Sequence, residues 1–491
     1  MYKNAVLIIL ILSVSFKISS GQEERTSELL SPAELIEDFD FMLRTLEETH
    51  PNLYAYIPKE EFIAKTDAFR KSINKPISKA DFYKILYKTI ALIKQGHTMV
   101  FGDAGFNKYK NDGGLSFPFK ISYFSDHVYV EQNFSSNKEL VKGTEIIAIN
   151  KIPVSRIIED FTPYLVVRPN GYIAKTLAYH WPKLLWLEYG FSDDFIISYI
   201  LPNSDEIRTT NIDGVKKEFI VKNNSARYEK DFGYRIEQEQ DLAVMEINTF
   251  EFQFERYDSL LKSSFNAIKQ SGVNNLIIDV RANHGGNGNL IGTLVDYLTD
   301  KPYISDAKSE VKTSEATKEC YTTHPIFVNA IEQARKAEDN SSDFIEFVNC
   351  FLEKPAGTIT TFPEEITTPG ENEYRFDGTL YVLTSANTFS GGTGFSVIIK
   401  DNDIGYIVGN ETSDNPTDYG CIMLFELPNT KINIQNSTLY TVRPAGYDDG
   451  RGLIPDFKVI PTYRDLISGY DRVMNYTYWL IEEDIANQTI K

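Results

Sequence analysis

Residues 378–412 read GTLYVLTSANTFSGGTGFSVIIKDNDIGYIVGNET, and this stretch contains the elements that decide the expected fold. The apolar run at 380–383 has the length and the β-branched and aromatic character of a buried strand, and the run at 397–399 indicates a following helix. Ser390 lies between them, with Gly391 immediately after it. A serine at such a corner has its hydroxyl near exposed N–H groups and the positive end of a helix dipole. This position suits a nucleophile, and it equally suits an ordinary helix N-cap.

The same alternation of strand and helix precedes this stretch. The sequence predicts a strand at 242–247, a helix at 257–271, a buried strand at 275–280 and a helix at 290–298. This order is typical of an α/β core with a largely parallel sheet. The second strand ends in the glycine-rich loop RANHGGNGN at 281–289. Because such folds place their sites at the carboxyl ends of parallel strands, we expect this loop to border the site.

Two regions of different character precede the core. The first shows helical periodicity with cap signals at Ser31 and Ser78, which predicts a helical domain. The second contains short alternating strands, and its sheet edge either binds an extended peptide by strand addition or is structural only. The predicted boundaries are 22–110 for the helical domain, 111–235 for the β-rich domain, 236–475 for the core with a charged, helical insertion at 302–376, and 476–491 for a tail.

Residues 1–21 have the pattern of a secretory signal peptide. Lys3 precedes an apolar run of about 12 residues, and small residues follow at Ser20 and Gly21. This run is shorter than the roughly 20 residues that a membrane-spanning helix needs. We therefore expect export to the periplasm or the cell exterior, with no stable membrane insertion after cleavage. An uncleaved membrane anchor is the alternative.

Composition excludes some partners. The chain has 50 Lys and Arg against 69 Asp and Glu, a formal net charge of −19, and no basic cluster. Nucleic acid is therefore not an expected partner, because phosphate binding requires cationic neutralisation. The three cysteines have no spacing typical of a zinc site, and we predict neither a metal nor a cofactor. Cys320 and Cys350 flank one segment and could pair in an oxidising compartment.

A nucleophilic serine needs a base within hydrogen-bond reach and a third group that orients the base. Among the six histidines, His97 follows Gly96 in a polar loop at a domain end, and His284 lies in the glycine-rich loop. His97 is the first candidate for the base and His284 the second. From residue pattern alone, either could instead be a loop histidine without chemistry.

Four segments resemble the C-terminal processing (tail-specific) serine peptidases. They occur in that family's order, and the resemblance covers residues 40 to 460. It implies a ClpP/crotonase-like α/β peptidase core, an N-terminal helical domain and a PDZ-like β-rich domain. The segments are LIIDVRANHGG at 276–286, the stretch from Tyr381 through Ser390 to Thr412, GTEIIAINKIPV at 143–154 and GLIPD at 452–456.

One departure from the family pattern indicates the branch. No lysine occurs between Lys400 and Lys431, and Asn415 stands about where the Ser/Lys branch has its catalytic lysine. The sequence is instead similar to the tricorn-like Ser/His branch. That resemblance implies Ser390 as nucleophile, His97 as base and Asp449 as orienting acid, with Asp448 as the alternative acid. For acyl transfer by these residues, we expect the backbone N–H groups of Gly391, Gly285 and Gly286 to stabilise the oxyanion.

The function implied by the resemblance is a secreted or periplasmic serine endopeptidase that hydrolyses peptide or protein substrates through an acyl-enzyme. Two departures keep other functions open. Glycines follow Ser390 where the branch more often has a non-glycine residue, and the acid is Asp where a longer Glu is common. The alternatives are a catalytically dead relative that binds peptide or glycan, and a serine hydrolase that acts on a non-peptide ester or lactam. The sequence does not indicate an oligomeric state.

Overall fold

The structure is a computed structural model, and it describes residues 29–102, 104–166, 172–191, 193–223, 231–336 and 342–489. The predicted signal peptide at 1–21 lies outside these ranges. Within them, no helix is long and apolar enough to cross a membrane.

The N-terminal region is helical, as predicted. Ser31 caps the first helix in a capping box with Glu34, and the Ser78 side chain accepts the Asp81 N–H at the start of the third helix. Both predicted cap signals are therefore confirmed. The elements are β1 (Leu29–Leu30), α1 (Pro32–Thr49), α2 (Lys59–Ser72), β2 (Ile77–Ser78), α3 (Lys79–Ala91), β3 (Met99–Phe101) and α4 (Phe106–Asn111).

The second region is built on an antiparallel sheet with the order β10-β9-β7-β6-β5, and β8 also pairs with β7. Trp181 of α6 is fully buried in the core of this region. Helix α6 lies against the edge strand β5. Peptide addition to this sheet stays a prediction. The elements are β4 (Leu115–Ser116), β5 (Phe119–Phe124), β6 (His127–Asn133), β7 (Glu145–Ile149), β8 (Ile152–Pro153), α5 (Val154–Phe161), a 3-10 turn (Thr162–Tyr164), α6 (Tyr172–Tyr189), β9 (Asp194–Ile200), β10 (Ile207–Asp213), β11 (Val215–Lys216) and α7 (Lys217–Asn223).

The α/β core begins as the sequence predicts, with strand, helix, strand and helix. These elements are β12 (Phe232–Glu237), a 3-10 turn (Gln238–Gln240), β13 (Leu242–Ile247), α8 (Phe254–Ser271), β14 (Asn275–Asp279) and α9 (Gly288–Val295). Strand β14 is buried at every residue, which agrees with its continuous apolar run.

The insertion is not simply helical, which corrects the prediction. It contains β15 (Tyr303–Asp306), β16 (Lys308–Lys312), α10 (Glu315–Thr323), α11 (Pro325–Lys336), α12 (Ser342–Leu352), β17 (Ile359–Phe362) and β18 (Glu365–Thr367). Strand β16 forms in contact with a core strand that follows more than 100 residues later, so its pairing is not visible in local sequence.

The core then resumes and ends in a helix. Its elements are β19 (Thr379–Thr384), α13 (Gly391–Asp401), β20 (Tyr406–Gly409), β21 (Ile422–Glu426), β22 (Asn433–Ser437), β23 (Leu439–Val442), β24 (Phe457–Lys458), α14 (Tyr463–Ser468) and α15 (Arg472–Thr489). The predicted tail at 476–491 lies largely within α15. Val473, Met474 and Ile481 of this helix are buried against the core sheet.

The central sheet has the order β12-β13-β14-β19-β20-β24. Strand β12 is antiparallel to β13, and every other neighbouring pair is parallel. Helices α8, α9 and α13 cover one face and α15 covers the other. Each fully buried large apolar side chain on these faces contributes about 1.5–3 kcal/mol. The loops after β14, β19 and β20 leave the sheet at the same edge.

In the described part of the chain, which includes all three cysteines, no disulfide forms. The Cys320 thiol donates to the Leu424 carbonyl oxygen at 3.3 Å, and the Cys421 sulfur lies 3.0 Å from the Tyr321 hydroxyl. The pairing of Cys320 with Cys350 that the sequence leaves open is not formed in this structure.

His50 is a buried titratable group at the end of α1. Its Nδ1 accepts the Asn52 N–H at 3.1 Å, so its Nε2 carries the proton and donates to the Gln95 side-chain oxygen. Burial lowers the pKa of His50 from 6.5 to about 4, because the imidazolium would lose its hydration.

We expect the free energy of unfolding to fall as the pH falls from 6.5 to 4, since over that interval the unfolded chain binds a proton at His50 that the folded protein does not. The contribution of this one group is at most about 1.4 kcal/mol per pH unit. Chemical unfolding of His50→Asn across the same interval should show a shallower fall. The exposed His127→Asn variant is the control and should keep the steep one. Equal slopes in His50→Asn and wild type would contradict the assignment.

Candidate active site

Ser390 lies at the corner between β19 and α13, in a strained conformation. Its φ is +49° and its ψ is −123°, and its hydroxyl makes no capping hydrogen bond to the helix. Positive φ is uncommon outside glycine, and strained residues of this kind concentrate at functional sites. The hydroxyl is therefore not used as a helix cap, the alternative that the local sequence left open.

His97 reaches Ser390 from the loop between α3 and β3. Its Nε2 lies 3.0 Å from Ser390 Oγ, and both side chains are buried. The Gln435 side chain donates to the His97 carbonyl oxygen at 2.9 Å, which fixes the loop against β22. The imidazole stacks on Phe389, with ring centroids 4.9 Å apart. The structure thus brings together the predicted nucleophile and the predicted base.

Two carboxylates face the other side of the imidazole. Asp418 Oδ1 lies 3.4 Å from His97 Nδ1, and Asp414 Oδ2 lies 3.7 Å from the same atom. Asp414 Oδ2 also accepts the Ser390 N–H at 3.1 Å. Asp418 Oδ1 accepts the N–H of Tyr419 at 2.6 Å. Both acids belong to the loop between β20 and β21, and Asp414 contacts the base and the nucleophile segment together.

The structure does not bring the predicted acids to His97. Asp449 is exposed, and it acts electrostatically on Arg443 and Arg451. Asp448 Oδ2 accepts the Tyr56 hydroxyl at 2.9 Å. The position beside the imidazole belongs instead to Asp414 and Asp418. In the sequence these two acids stand in NETSDNPTD at 410–418, directly around the position where a catalytic lysine is missing.

The loop that carries these acids is anchored on both sides of Asp414. Glu411 forms an ion pair with Arg451 at 2.5 Å, and its Oε1 accepts the Gly452 N–H at 3.0 Å. Asn415 is buried and donates to the Tyr56 hydroxyl at 2.7 Å. The helical domain therefore helps to hold the loop under His97. Sequence reasoning gave Tyr56 no role, and it included Glu411 only as part of the segment from Tyr381 to Thr412.

Two of the three glycines predicted for the oxyanion hole retain available donors. The Gly285 N–H donates to Asn283 Oδ1 at 2.8 Å, so this donor is occupied. In the described part of the chain, the N–H groups of Gly286 and Gly391 have no acceptor. A Cβ placed on Gly391 would lie 3.2 Å from the Gly286 nitrogen, so the two N–H groups are close. Gly286 and Gly391 are the pair that can bind an oxyanion.

His284, the second candidate for the base, is exposed on the glycine-rich loop. Among the described residues it makes no hydrogen bond to Ser390. The partial burial of its ring and the charge of Lys175 lower its pKa, and a hydrogen bond with the Asn387 backbone opposes this shift. The structure therefore does not bring it to the nucleophile.

His97, Asp414 and Asp418 each offer one metal-ligating atom, and these atoms lie within 4.8 Å of one another. Any ion bound there would compete with the proton on His97 Nδ1, which the base needs for its tautomer.

Comparison with known proteins gives a family match for the core. Residues 241–459 match the description Peptidase family S41. Mature CPAF complexed with lactacystin is similar, with a TM-score of 0.67 at 14% identity over 93% of this chain and 99% of that chain. Mature CPAF gives a TM-score of 0.65 at 15% identity over 93% and 98%. At these identities the likeness shows the fold alone, and it confirms the predicted α/β architecture with helical and β-rich domains. No curated protein sequence matches this chain.

The geometry predicts which acid supports the reactivity of Ser390. We expect Asp418→Asn and Asp414→Asn to slow labelling of Ser390 by a fluorophosphonate probe by on the order of 10²-fold or more, because an amide cannot stabilise the imidazolium or hold its tautomer. Asp449→Asn is the matched control, and it should label within a factor of about two of wild type, as surface substitutions usually have small effects. A large loss of the labelling rate in Asp449→Asn, with none in the other two variants, would show that Asp449 is the orienting acid, as predicted from sequence.

Gly285 packs against the nucleophile. Its φ is +108°, and a Cβ there would lie 2.7 Å from Ser390 Cβ and 2.9 Å from the Gly391 nitrogen. We expect Gly285→Ala to abolish labelling of Ser390, because the added methyl group displaces the nucleophile corner. Gly394→Ala is the control, since its Cβ would meet nothing within 4 Å. Wild-type labelling of Gly285→Ala would show that the corner has more room than this geometry allows.

Proposed function

We propose that the chain is an exported serine endopeptidase with Ser390 as nucleophile and His97 as general base, in keeping with the match of residues 241–459 to Peptidase family S41. The observation that carries this proposal is the 3.0 Å separation between Ser390 Oγ and His97 Nε2. That distance lies within hydrogen-bond reach, the first requirement for a base that activates a serine.

The reaction starts with attack of Ser390 Oγ on a peptide carbonyl carbon while its proton moves to His97 Nε2. The carbonyl oxygen becomes an oxyanion, which the N–H groups of Gly286 and Gly391 stabilise. His97 then gives its proton to the leaving amine, the C–N bond breaks and an acyl-enzyme remains. A water molecule, deprotonated by the same imidazole, releases the acid product and restores Ser390.

Asp418 and Asp414 take the role of the orienting group in this proposal. With Nε2 aimed at Ser390, the imidazole must carry its ground-state proton on Nδ1, and both carboxylates lie on that side at 3.4 and 3.7 Å. They favour this tautomer and stabilise the imidazolium that forms during attack. Asp414 also fixes the Ser390 backbone, so movement of the acid and of the nucleophile is coupled.

The alternative of a dead binding protein gains no support from the site. A chain that had kept only the scaffold would not need a strained serine in contact with a buried histidine. The substrate we propose is a peptide or protein, in keeping with the peptidase family. Export is proposed from the signal-like residues 1–21 and rests on sequence alone.

The test combines active-site labelling with proteolysis. Wild type should react with a fluorophosphonate probe and degrade casein, whereas Ser390→Ala should do neither. His97→Ala should lose on the order of 10²–10⁴-fold in kcat/KM, the usual contribution of a general base.

Ser396→Ala is the matched control for loss of a buried serine near the site. Among the described residues its hydroxyl donates to the Gly392 carbonyl alone, at 2.9 Å within α13, and we expect wild-type labelling and proteolysis. Labelling of Ser390→Ala at the wild-type rate would remove Ser390 as the nucleophile. Labelling without degradation of any peptide would remove the endopeptidase assignment.

A further inference from the structure

Lys175 brings a positive charge from the β-rich domain to the nucleophile corner. It lies in the first turn of α6, and its Nζ donates to the Asn387 carbonyl oxygen at 3.3 Å. The same Nζ lies 5.2 Å from the ring centroid of Phe389, the residue directly before Ser390. Because Phe389 also stacks on His97, a single aromatic ring separates the ammonium group from the imidazole.

The described residues place no ion-pair partner beside the ammonium group of Lys175. In the part of the chain that the structure describes, no carboxylate lies within 4.0 Å of Lys175, although the more distant Asp414 acts on it electrostatically. Lys175 is partly buried, and burial lowers its pKa to about 8. An ammonium group has three donors, and the Asn387 carbonyl uses one of them. A cation that has lost water without gaining a carboxylate is favourably placed to bind an incoming anion.

Lys183, on the same helix, differs from Lys175 in where its ammonium group lies. Lys183 is buried, donates to the Tyr87 hydroxyl at 3.0 Å and lies 4.7 Å from that ring. Lys175 instead ends beside the exposed Asn387 and the exposed His284 of the glycine-rich loop. The polar end of its side chain is therefore at the rim of the site.

The negative net charge of the protein makes a local cation important for binding an anionic substrate. At −19 the protein repels anionic substrates at long range, so productive binding of an acidic peptide needs a local positive group. Lys175 and His284 are cation-capable side chains that both interact with the backbone of Asn387, three residues before Ser390.

We propose that Lys175 is a specificity-determining residue that binds a carboxylate of the peptide substrate close to the scissile bond. This inference rests on the endopeptidase function proposed above and adds the class of substrate. The carboxylate has two possible sources, an Asp or Glu side chain or the free α-carboxylate of a peptide whose C-terminus lies near the bond.

The experiment measures kcat/KM of the full-length exported protein for fluorogenic peptides that differ only in charge. One set exchanges Glu for Gln at each position flanking the scissile bond, and the other exchanges a free C-terminal acid for an amide. We expect wild type to favour the carboxylate-bearing member of one set by about tenfold to a hundredfold, as for one hydrogen bond to a charged group. The set that shows the preference identifies the source of the carboxylate.

Variants connect the preference to Lys175. Lys175→Met keeps most of the stem that contacts Phe389 and should reduce the ratio to about one, because the charge is gone. Lys175→Arg keeps the charge and should retain much of the ratio. Lys142→Met removes an exposed lysine of the same domain, far from the rim in sequence, and should keep the wild-type ratio.

Two results would overturn the inference while leaving the peptidase intact. The first is equal cleavage of charged and neutral peptides by wild type, which needs no variant. The second is an undiminished preference for the charged peptide in folded Lys175→Met. A protein that labels at Ser390 but cleaves no peptide would instead overturn the endopeptidase proposal, and the role of Lys175 with it.

Discussion

The parallel pairing of β14, β19 and β20 is the constraint on which the site depends. The register aligns Asp279 with Leu383 and Thr384 with Gly409, so the three strands end at one edge of the sheet. The glycine-rich loop, the Ser390 corner and the acid-bearing loop all leave from that edge. A shift of one residue in any pairing would exchange the faces of the strand and separate these loops.

A second constraint delivers the base from another region of the chain. Strand β3, which follows His97, pairs with β22 of the core. The buried carboxylate of Asp38 in α1 accepts the N–H groups of Asn429 and Thr430, both at 2.8 Å, in the turn before β22. A buried carboxylate is stable only when its oxygens are hydrogen-bonded, so this contact fixes the turn to the helical domain. The position of His97 therefore depends on the interface between the two regions.

The strain at Ser390 is sustained by its neighbours. A φ of +49° costs of order 1–3 kcal/mol, and the conformation persists because the surrounding structure determines it. The Asp414 carboxylate accepts the Ser390 N–H on one side. On the other side Gly285 lies so close to Ser390 that position 285 has no room for a side chain. The same packing leaves the N–H groups of Gly286 and Gly391 available for an oxyanion. Strain, close packing and free donors thus have one structural origin.

The sequence by itself determined the strand-to-helix order of the core, the two cap signals, and the identity of Ser390 and His97 as the candidate pair. These depend on local periodicity, on glycines beside a serine, and on motif order, all of which are written along the chain. The tertiary structure alone decided which acids face His97, that the Gly285 donor is occupied, and that β16 of the insertion pairs with β23. Each of these depends on side chains or strands that meet from distant segments. Asp414 and Asp418 can be read in the sequence, but no local pattern marks them as partners of His97. Only the fold of their loop beneath His97 brings their carboxylates to the imidazole.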